Sequence, residues 1–226
     1  ITRRDLHLHG ARNLAHFTGQ NLWFYAITVI PLAQVFAFEF TSPIWVTLLA
    51  PLFLGETLTR RKILLTLVGF VGILIVARPG AAPISPGMIA AALSAVCFAA
   101  TAIFTKKLTQ RETITCIMFY LTSIQLCFGL VASGFDGDIA WPSSQAWPWL
   151  FVVGISGLLA HFCLTTALKL APASVVMPID FARLPVIIVI GAVFYNEPIE
   201  AAVMIGAVLI FAATYANIAF ETRKGR

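Results

Sequence analysis

Glu39, Asp180 and Arg183 are ionisable side chains that lie inside long apolar stretches of the sequence. An ionised group inside a bilayer costs several kcal/mol unless it is paired, is protonated or faces water. Asp180 and Arg183 are three residues apart, so on a helix they share one face and can pair. These residues could bind a charged ligand or transfer protons. The structural alternatives are a packing acid held by Thr41 or Ser42, and a pair that only permits membrane insertion.

Four polar or aromatic residues elsewhere are weaker candidates for the same chemistry. His161 lies in the middle of an apolar stretch, where it could relay protons, contact a ligand or serve as a hydrogen-bonded packing residue. Gln20, Trp23 and Tyr120 could supply polar or stacking contacts, although hydrogen bonding between helices would explain them equally well. The four cysteines fall in apolar runs without a metal-ligand spacing, so we interpret them as packing residues. The sequence predicts neither a metal site nor a cofactor.

The apolar stretches that carry the three ionisable residues are two copies of one segment. Displacing the sequence by 141 residues aligns Pro31 with Pro172 and Glu56 with Glu197. In both copies the internal acid follows the opening proline by eight residues. The prolines indicate tight turns between spans, and we interpret the two glutamates as anchors of helix ends near the lipid headgroups. Self-similarity at a fixed displacement predicts a repeated architecture.

The composition of the 226-residue chain is that of a membrane protein. Hydrophobic residues make up 59% and charged residues only 11%, and the apolar runs are continuous rather than alternating. Since about 20 apolar residues cross a bilayer as a helix, we predict an all-α polytopic protein. The basic residues lie in short clusters between the apolar runs, so the net charge of +5 does not indicate nucleic-acid binding. Eight spans are predicted, at about 13–31, 33–54, 63–77, 88–105, 113–133, 149–170, 174–195 and 201–219.

Basic residues are concentrated in alternate loops, and this alternation predicts the orientation of the chain. By the positive-inside rule the basic loops and the tail at 220–226 face the cytoplasm. The copy at 172–197 then runs in the opposite direction to the copy at 31–56, which predicts inverted repeats. Residues 1–80 hold three spans of the first repeat, and residues 88–219 hold five spans of the second. Two more spans are therefore expected before the first of these, which makes ten in all.

Short motifs around the repeated segment resemble those of a known family. The first copy reads Pro31-Leu32-Ala33, Leu54-Gly55-Glu56 and Arg78-Pro79-Gly80, and the second reads Ala171-Pro172-Ala173 and Asn196-Glu197-Pro198. This pattern resembles the EamA-type repeat of the drug/metabolite transporter superfamily, and the likeness covers nearly the whole chain. The resemblance implies ten helices in two inverted five-helix repeats around a central cavity. The sequence departs from the family by lacking the first two helices, which would line part of that cavity.

The resemblance and the membrane-embedded charges together predict a secondary active transporter, and no Walker A motif for ATP is present. We expect it to move a small amphoteric metabolite, an amino acid or a related compound, by alternating access across the bacterial inner membrane. Glu39 and Asp180 are the candidates for proton coupling or for holding a cationic group, and Arg183 is the candidate for holding a carboxylate. The predicted partners are the substrate, the lipid bilayer and protons, with no nucleic acid.

Two other functions fit part of the sequence. A non-transporting membrane subunit would account for the spans, but it has no need of three membrane-embedded charges. The segment Gly154-Ile155-Ser156-Gly157 matches the GxSG pattern of rhomboid-type serine proteases, whose chemistry needs a histidine base within hydrogen-bond reach of the serine. No histidine follows His161, which is only five residues beyond Ser156. We therefore predict that the chain is not an enzyme.

Overall fold

The fold is a bundle of helices, seen in a computed structural model that describes residues 1–57, 59–77, 84–135, 137, 139, 141–179, 183–196 and 201–224. Helices occur at all eight places where the sequence predicts spans, and these residues contain no strand. The prediction of an all-helical chain is confirmed. The helices are α1 (Leu6–Val29), α2 (Leu32–Glu39), α3 (Ser42–Leu54), α4 (Arg60–Ala77), α5 (Pro86–Thr109), α6 (Ile114–Ser133), α7 (Trp147–Leu170), α8 (Ala173–Ile179), α9 (Leu184–Tyr195) and α10 (Ala201–Lys224).

Four stretches of the described chain are long and apolar enough to cross a membrane, judged by length and composition. They are Gln34–Leu54, α5, α6 and α7. The most apolar window of α7 is only 6% buried within the structure, so nearly all of its apolar surface is available to lipid. The count of eight spans stays a prediction, as do the repeat boundaries, because residues 78–83 of the connector lie outside the described chain.

The predicted span at 33–54 is not one helix but two, and the break follows from the sequence. α2 ends at Glu39, and α3 begins at Ser42 with Pro43 in its first turn. A proline inside a continuous helix would lack its N–H donor and clash with the carbonyl four residues earlier, which here is that of Glu39. The predicted span at 174–195 likewise contains two helices, α8 and α9, and residues 180–182 between them lie outside the described chain.

The apolar core joins the first half of the chain, α1 to α4, with the second half, α5 to α10. One buried cluster packs Phe36 and Phe40 from the α2 region against Ile187 of α9 and Ile210 of α10. A second cluster brings residues of α3, α5, α7 and α8 together around Leu168. The most extensive packing between helices is that of α1 against α5 and of α4 against α10. Both clusters and both of these helix pairs cross from one half to the other, so the two halves form one body.

Gly72 lets α4 and α10 approach closely. A Cβ added at Gly72 would lie 2.8 Å from the carbonyl oxygen of Gly206 and 2.9 Å from a side-chain carbon of Ile210. Gly69, one turn earlier on α4, has no heavy atom of another element within 4 Å of the same added carbon. The packing of α4 against α10 therefore requires a glycine at position 72 but not at position 69.

We predict that Gly72→Leu lowers the free energy of unfolding by about 1–3 kcal/mol, because the added side chain overpacks the contact with α10. Gly69→Leu is the matched control on the same helix and should have little effect, since it meets open space. Thermal unfolding of both variants in detergent, followed by circular dichroism, measures the difference. Equal losses in the two variants would contradict the close approach of α4 and α10.

Candidate functional site

A cavity of about 290 Å³ lies between the two halves of the chain. Its volume is close to the lower end of the range typical of small-molecule sites. The first half contributes walls from α1, the α2–α3 break and α3, and the second half contributes walls from α5, α7, α8 and Arg183. The described lining residues are Arg12, His16, Glu39, Phe40, Ser42, Pro43, Phe98, Thr101, Ala102, Thr105, Ala160, His161, Leu164, Thr165, Met177 and Arg183.

Glu39 connects both halves of the chain at this cavity. Its Oε1 accepts a hydrogen bond from Arg183 Nη2 at 2.7 Å, and its Oε2 accepts one from Trp23 Nε1 at 2.7 Å. The Glu39 side chain is 12% exposed, whereas that of Arg183 is 44% exposed. Three residues that the sequence offers as site candidates are thus brought together, and the acid inside the apolar segment is paired as its burial requires.

The structure contradicts the alternative in which neighbouring hydroxyl groups hold Glu39. The Thr41 hydroxyl donates to the backbone carbonyl of Phe38 at 2.7 Å. The Ser42 hydroxyl is buried and has no hydrogen-bond partner among the described residues. The acid is instead paired with Arg183, which comes from the other half of the chain. A local sequence pattern could not indicate that pairing, because the two residues are 144 positions apart.

Arg183 also contacts aromatic rings. Its guanidinium carbon lies 5.9 Å from the ring centroid of Phe36 and 5.8 Å from that of Phe40, within the range of cation–π attraction. Asp180, the partner that the sequence predicts for Arg183, lies outside the described residues, so that pairing stays a prediction. Because nearly half of its side chain is exposed, Arg183 can contact a ligand while it remains bonded to Glu39.

His161 meets a second histidine in the cavity wall. Its Nε2 lies 3.1 Å from Nε2 of His16, with the two rings edge to face and 4.5 Å between centroids. A hydrogen bond between these nitrogens requires one to carry the hydrogen and the other to accept it, so both rings cannot be fully protonated in this arrangement. His16 was not among the candidates from the sequence, because its partner lies 145 positions away and no local spacing joins the two.

Arg12 is a buried cation. It lies just before the first predicted span at about 13–31, so the sequence pattern places it in a basic cytoplasmic loop. The structure corrects this, because α1 begins at Leu6 and carries Arg12 in its second turn, where α5 covers it. The side chain is 1% exposed, and it donates to Thr105 Oγ1 at 3.2 Å and to Asn13 Oδ1 at 3.3 Å. No described carboxylate lies within 4.0 Å of its guanidinium. Arg12 therefore places a positive charge in the cavity wall.

Tyr120 and Gln20, two of the weaker candidates, are not among the described residues that line this cavity. The Tyr120 hydroxyl donates to the backbone carbonyl of Thr2 at 2.9 Å, and its ring packs on His9 with 4.3 Å between centroids. Tyr120 thus lies at the contact between α1 and α6. Direct contact of these two residues with a ligand stays a prediction.

Glu56 has a more specific role than an anchor at the headgroups. Its carboxylate accepts hydrogen bonds from the backbone N–H groups of Ala173, at 2.9 Å, and Ser174, at 3.3 Å. It also accepts the Ser174 hydroxyl at 2.6 Å, and Lys62 donates to that hydroxyl at 3.0 Å. An acid that binds the first N–H groups of a helix satisfies donors that have no partner within it. Glu56 therefore caps α8, a helix of the other half.

The prolines of the repeated motif precede two short helices, and one glutamate of the motif is not described. Pro31 is the residue before α2, and Pro172 is the residue before α8. Both positions fit the predicted turns, since proline can stand at a helix start without losing a hydrogen bond. Glu197 lies outside the described residues. Its predicted role as an anchor stays a prediction.

Comparison with known proteins identifies the same architecture. The EamA-like transporter family matches residues 12–78 and 85–219 of the chain. A Brucella anthropi protein named as a riboflavin transporter is 32% identical over 92% of this chain and 74% of its own length. A Rickettsia conorii protein named as an S-adenosylmethionine uptake transporter is 30% identical over 92% of this chain and 70% of its own length. A crystal structure with 18% sequence identity matches 98% of this chain and 79% of its own chain, with a TM-score of 0.75. At this identity the likeness shows the fold alone.

These relatives are named as transporters, and the geometry also disfavours the protease alternative. Ser156 is exposed on the surface of α7, a helix whose apolar face is open to lipid. His161, its nearest histidine in sequence, bonds through Nε2 to His16. Among the described residues, Ser156 and His161 make no hydrogen bond with each other, as a nucleophile and its base would.

We predict that Trp23→Phe and Glu39→Gln are coupled in their effects on stability, because the indole donates to the carboxylate. A double-mutant cycle should give a coupling energy of about 1 kcal/mol, within the range of hydrogen bonds between membrane helices. Reversible unfolding in mixed detergent and dodecyl sulfate micelles measures it. Trp45→Phe, a control at a 40% exposed tryptophan on α3, should add to Glu39→Gln without coupling. Additive losses from Trp23→Phe would disprove the bond.

Proposed function

The chain belongs to the EamA-like transporter family and is a bacterial multi-pass membrane protein, and from this premise we propose that it is a secondary active transporter working by alternating access. The observation that carries the proposal is the Glu39–Arg183 ion pair in a cavity between the two halves. Sites between the halves of a repeat protein are where transporters of this kind hold their substrates. We propose uptake as the direction, following the names of the S-adenosylmethionine relatives.

The substrate class that we propose is a metabolite built on a fused nitrogen heterocycle. Riboflavin and S-adenosylmethionine, the compounds in the names of the relatives, share such a ring system joined to a hydroxylated five-carbon unit. The described cavity wall offers the aromatic rings of Phe40 and Phe98 and the polar groups of His16, His161 and Thr101. Aromatic rings beside a few polar groups suit a flat heterocycle with hydroxyl substituents.

The charges at the site favour an amphoteric member of that class. Glu39 and Arg183 neutralise each other, so a ligand that separates them must supply an opposite charge to each or leave one unpaired. A substrate with both an ammonium group and a carboxylate does this, and Arg12 can attract the carboxylate from the cavity wall. This agrees with the expectation of an amino acid or a related compound. A neutral heterocycle would leave the ion pair closed and would depend on the aromatic rings instead.

The same pair supports the proposal of alternating access. While Arg183 is bonded to Glu39, the start of α9 is held to the end of α2. A substrate that binds the Glu39 carboxylate, or a proton that neutralises it, breaks the ion pair with Arg183. The two halves can then separate at that point. Protons are therefore the coupling ion that we propose, with Glu39 as the group that carries them.

We predict that purified protein in proteoliposomes accumulates an amphoteric heterocyclic metabolite when a proton gradient is imposed. Glu39→Gln should lower this uptake at least tenfold and remove its dependence on the gradient, because the neutral amide can neither carry the proton nor pair with Arg183. The panel should contain S-adenosylmethionine, riboflavin and free amino acids as radiolabelled compounds. Lys169→Gln, at an exposed residue of α7 outside the cavity lining, is the matched control and should transport normally.

The other outcomes of this experiment each change a different part of the proposal. Uptake of riboflavin alone, unaffected by Glu39→Gln, would contradict the role of the ion pair and favour a neutral substrate held by the aromatic rings. Gradient-independent exchange would contradict proton coupling. Movement of none of the compounds by well-folded protein would favour the non-transporting subunit.

We predict that the C-terminus faces the cytoplasm, because the basic loops and the basic tail lie on the same side. Green fluorescent protein fused after Arg226 should be fluorescent in the bacterium, and alkaline phosphatase at the same position should be inactive. A fusion in the 134–148 loop, which is predicted on the opposite side, should give the reverse result. Active phosphatase at the C-terminus would overturn the orientation.

A further inference from the structure

Three metal-ligating side chains meet where α1 packs against the start of α6. His9 comes from the first turn of α1, Glu112 from the connection after α5, and Cys116 from the first turn of α6. One ligand atom of each lies within 4.8 Å of the others, and all three residues are buried. None of them is among the residues that line the cavity. This cluster is therefore separate from the site described above.

His9 points to a missing ligand at this cluster. Its side chain is 1% exposed, and neither ring nitrogen has a hydrogen-bond partner among the described residues. Buried polar groups in folded proteins almost always have a partner, so an imidazole without one needs an explanation. Tyr120 packs on the ring at 4.3 Å between centroids, which fixes the position of the imidazole. The orientation is thus maintained although the described chain supplies no hydrogen bond.

We propose that His9, Glu112 and Cys116 bind a divalent transition-metal ion of the zinc type. An imidazole, a carboxylate and a thiolate are the mixed ligand set that Zn²⁺ and Co²⁺ accept, whereas Mg²⁺ and Ca²⁺ require oxygen ligands. Zinc binds such atoms at about 2.0–2.3 Å, which places two ligands of a tetrahedral ion roughly 3.3–3.8 Å apart. The ligand atoms lie within 4.8 Å of one another, so the distance between any two must shorten by at most about 1.5 Å. Small side-chain rotations can provide this movement.

A second buried polar group next to His9 also lacks a described partner. Asp5, four residues before His9 on the same side of α1, has a buried Oδ2 without a described partner, and its Oδ1 lies 3.5 Å from Arg111. A histidine that ligates a metal usually donates its other N–H to a carboxylate. Asp5, one helical turn before His9, is the acid that we propose for that bond on metal binding, since neither group has a described side-chain partner for it now.

One further side chain lies between the three ligands. The Thr2 hydroxyl donates to Glu112 Oε1 and lies 3.9 Å from Cys116 Sγ, so it occupies part of the space between the ligands. With three protein ligands, the fourth position of a tetrahedral ion is left for water or for this hydroxyl. The bound ion ties α1 to α6, and Arg12 and His16 follow His9 on α1. Metal binding thereby stabilises one wall of the cavity, whether or not the chain transports the substrate proposed above.

The test uses Co²⁺ as a spectroscopic probe of the purified protein in detergent. A thiolate bound to Co²⁺ gives a charge-transfer absorption band in the near ultraviolet. We expect one Co²⁺ per chain with this band, displaced by Zn²⁺. Cys116→Ser should abolish the band, whereas Cys127→Ser, on the exposed side of the same helix, should leave it unchanged.

A second variant keeps the test decisive if Cys116→Ser does not fold. A protein in which Cys97, Cys127 and Cys163 are replaced by alanine retains Cys116 as its sole cysteine, and it should keep both the band and the stoichiometry. His9→Gln in that background should weaken Co²⁺ binding at least tenfold, as expected for the loss of one ligand. Absence of the band from the native protein would overturn the proposal, and so would its loss in the protein that keeps only Cys116.

Discussion

The pairing of the Glu39 carboxylate is the interaction on which the site depends. This acid lies inside an apolar segment, where an unpaired charge is costly, and it is satisfied by an indole from α1 and a guanidinium from the start of α9. Its two oxygens therefore fix three elements relative to one another, across the boundary between the halves of the chain. The pair is partly exposed on the Arg183 side, so the same contact that stabilises the arrangement is open to a ligand.

The backbone around Glu39 explains why the carboxylate reaches the cavity. Pro43 prevents α2 and α3 from forming one helix, and Glu39 is the last residue before the break. Broken helices line the substrate sites of many transporters, because their free ends point polar groups into an otherwise apolar bundle. On the α8 side, Glu56 caps the helix and Lys106 donates to the carbonyls of Leu168 and Ala171 at 2.7 and 2.8 Å. Other polar contacts between the halves, such as Arg12 with Thr105 and His16 with His161, lie along the helices.

The sequence predicts the helices well and the partners poorly, for a physical reason. Apolar runs are local features of the sequence and can be recognised from neighbouring residues alone, so each of the eight predicted spans corresponds to one or two helices. The repeated motif is also local, and it identifies the family. The partner of Glu39 lies 144 residues away, and that of His161 lies 145 residues away, so no local spacing could indicate either. The sequence alone places Arg12 in a loop, because a charged residue next to the end of an apolar run is assumed to lie outside the span. In the structure α1 begins at Leu6, six residues before Arg12. The proposed metal ligands have no local spacing that could indicate them, because His9 is brought to Glu112 and Cys116 by packing and not by one helix.

The central claim is that Glu39 and Arg183 act on transport as one unit, and a double-mutant cycle on uptake tests it most directly. Initial rates should be compared for the native protein, Glu39→Gln, Arg183→Gln and the double variant in proteoliposomes. Residues that act through a shared contact have strongly non-additive effects, so the double variant should transport no worse than the poorer single variant. Losses that multiply across the two positions, or single variants with native rates, would contradict the account and place the substrate site elsewhere.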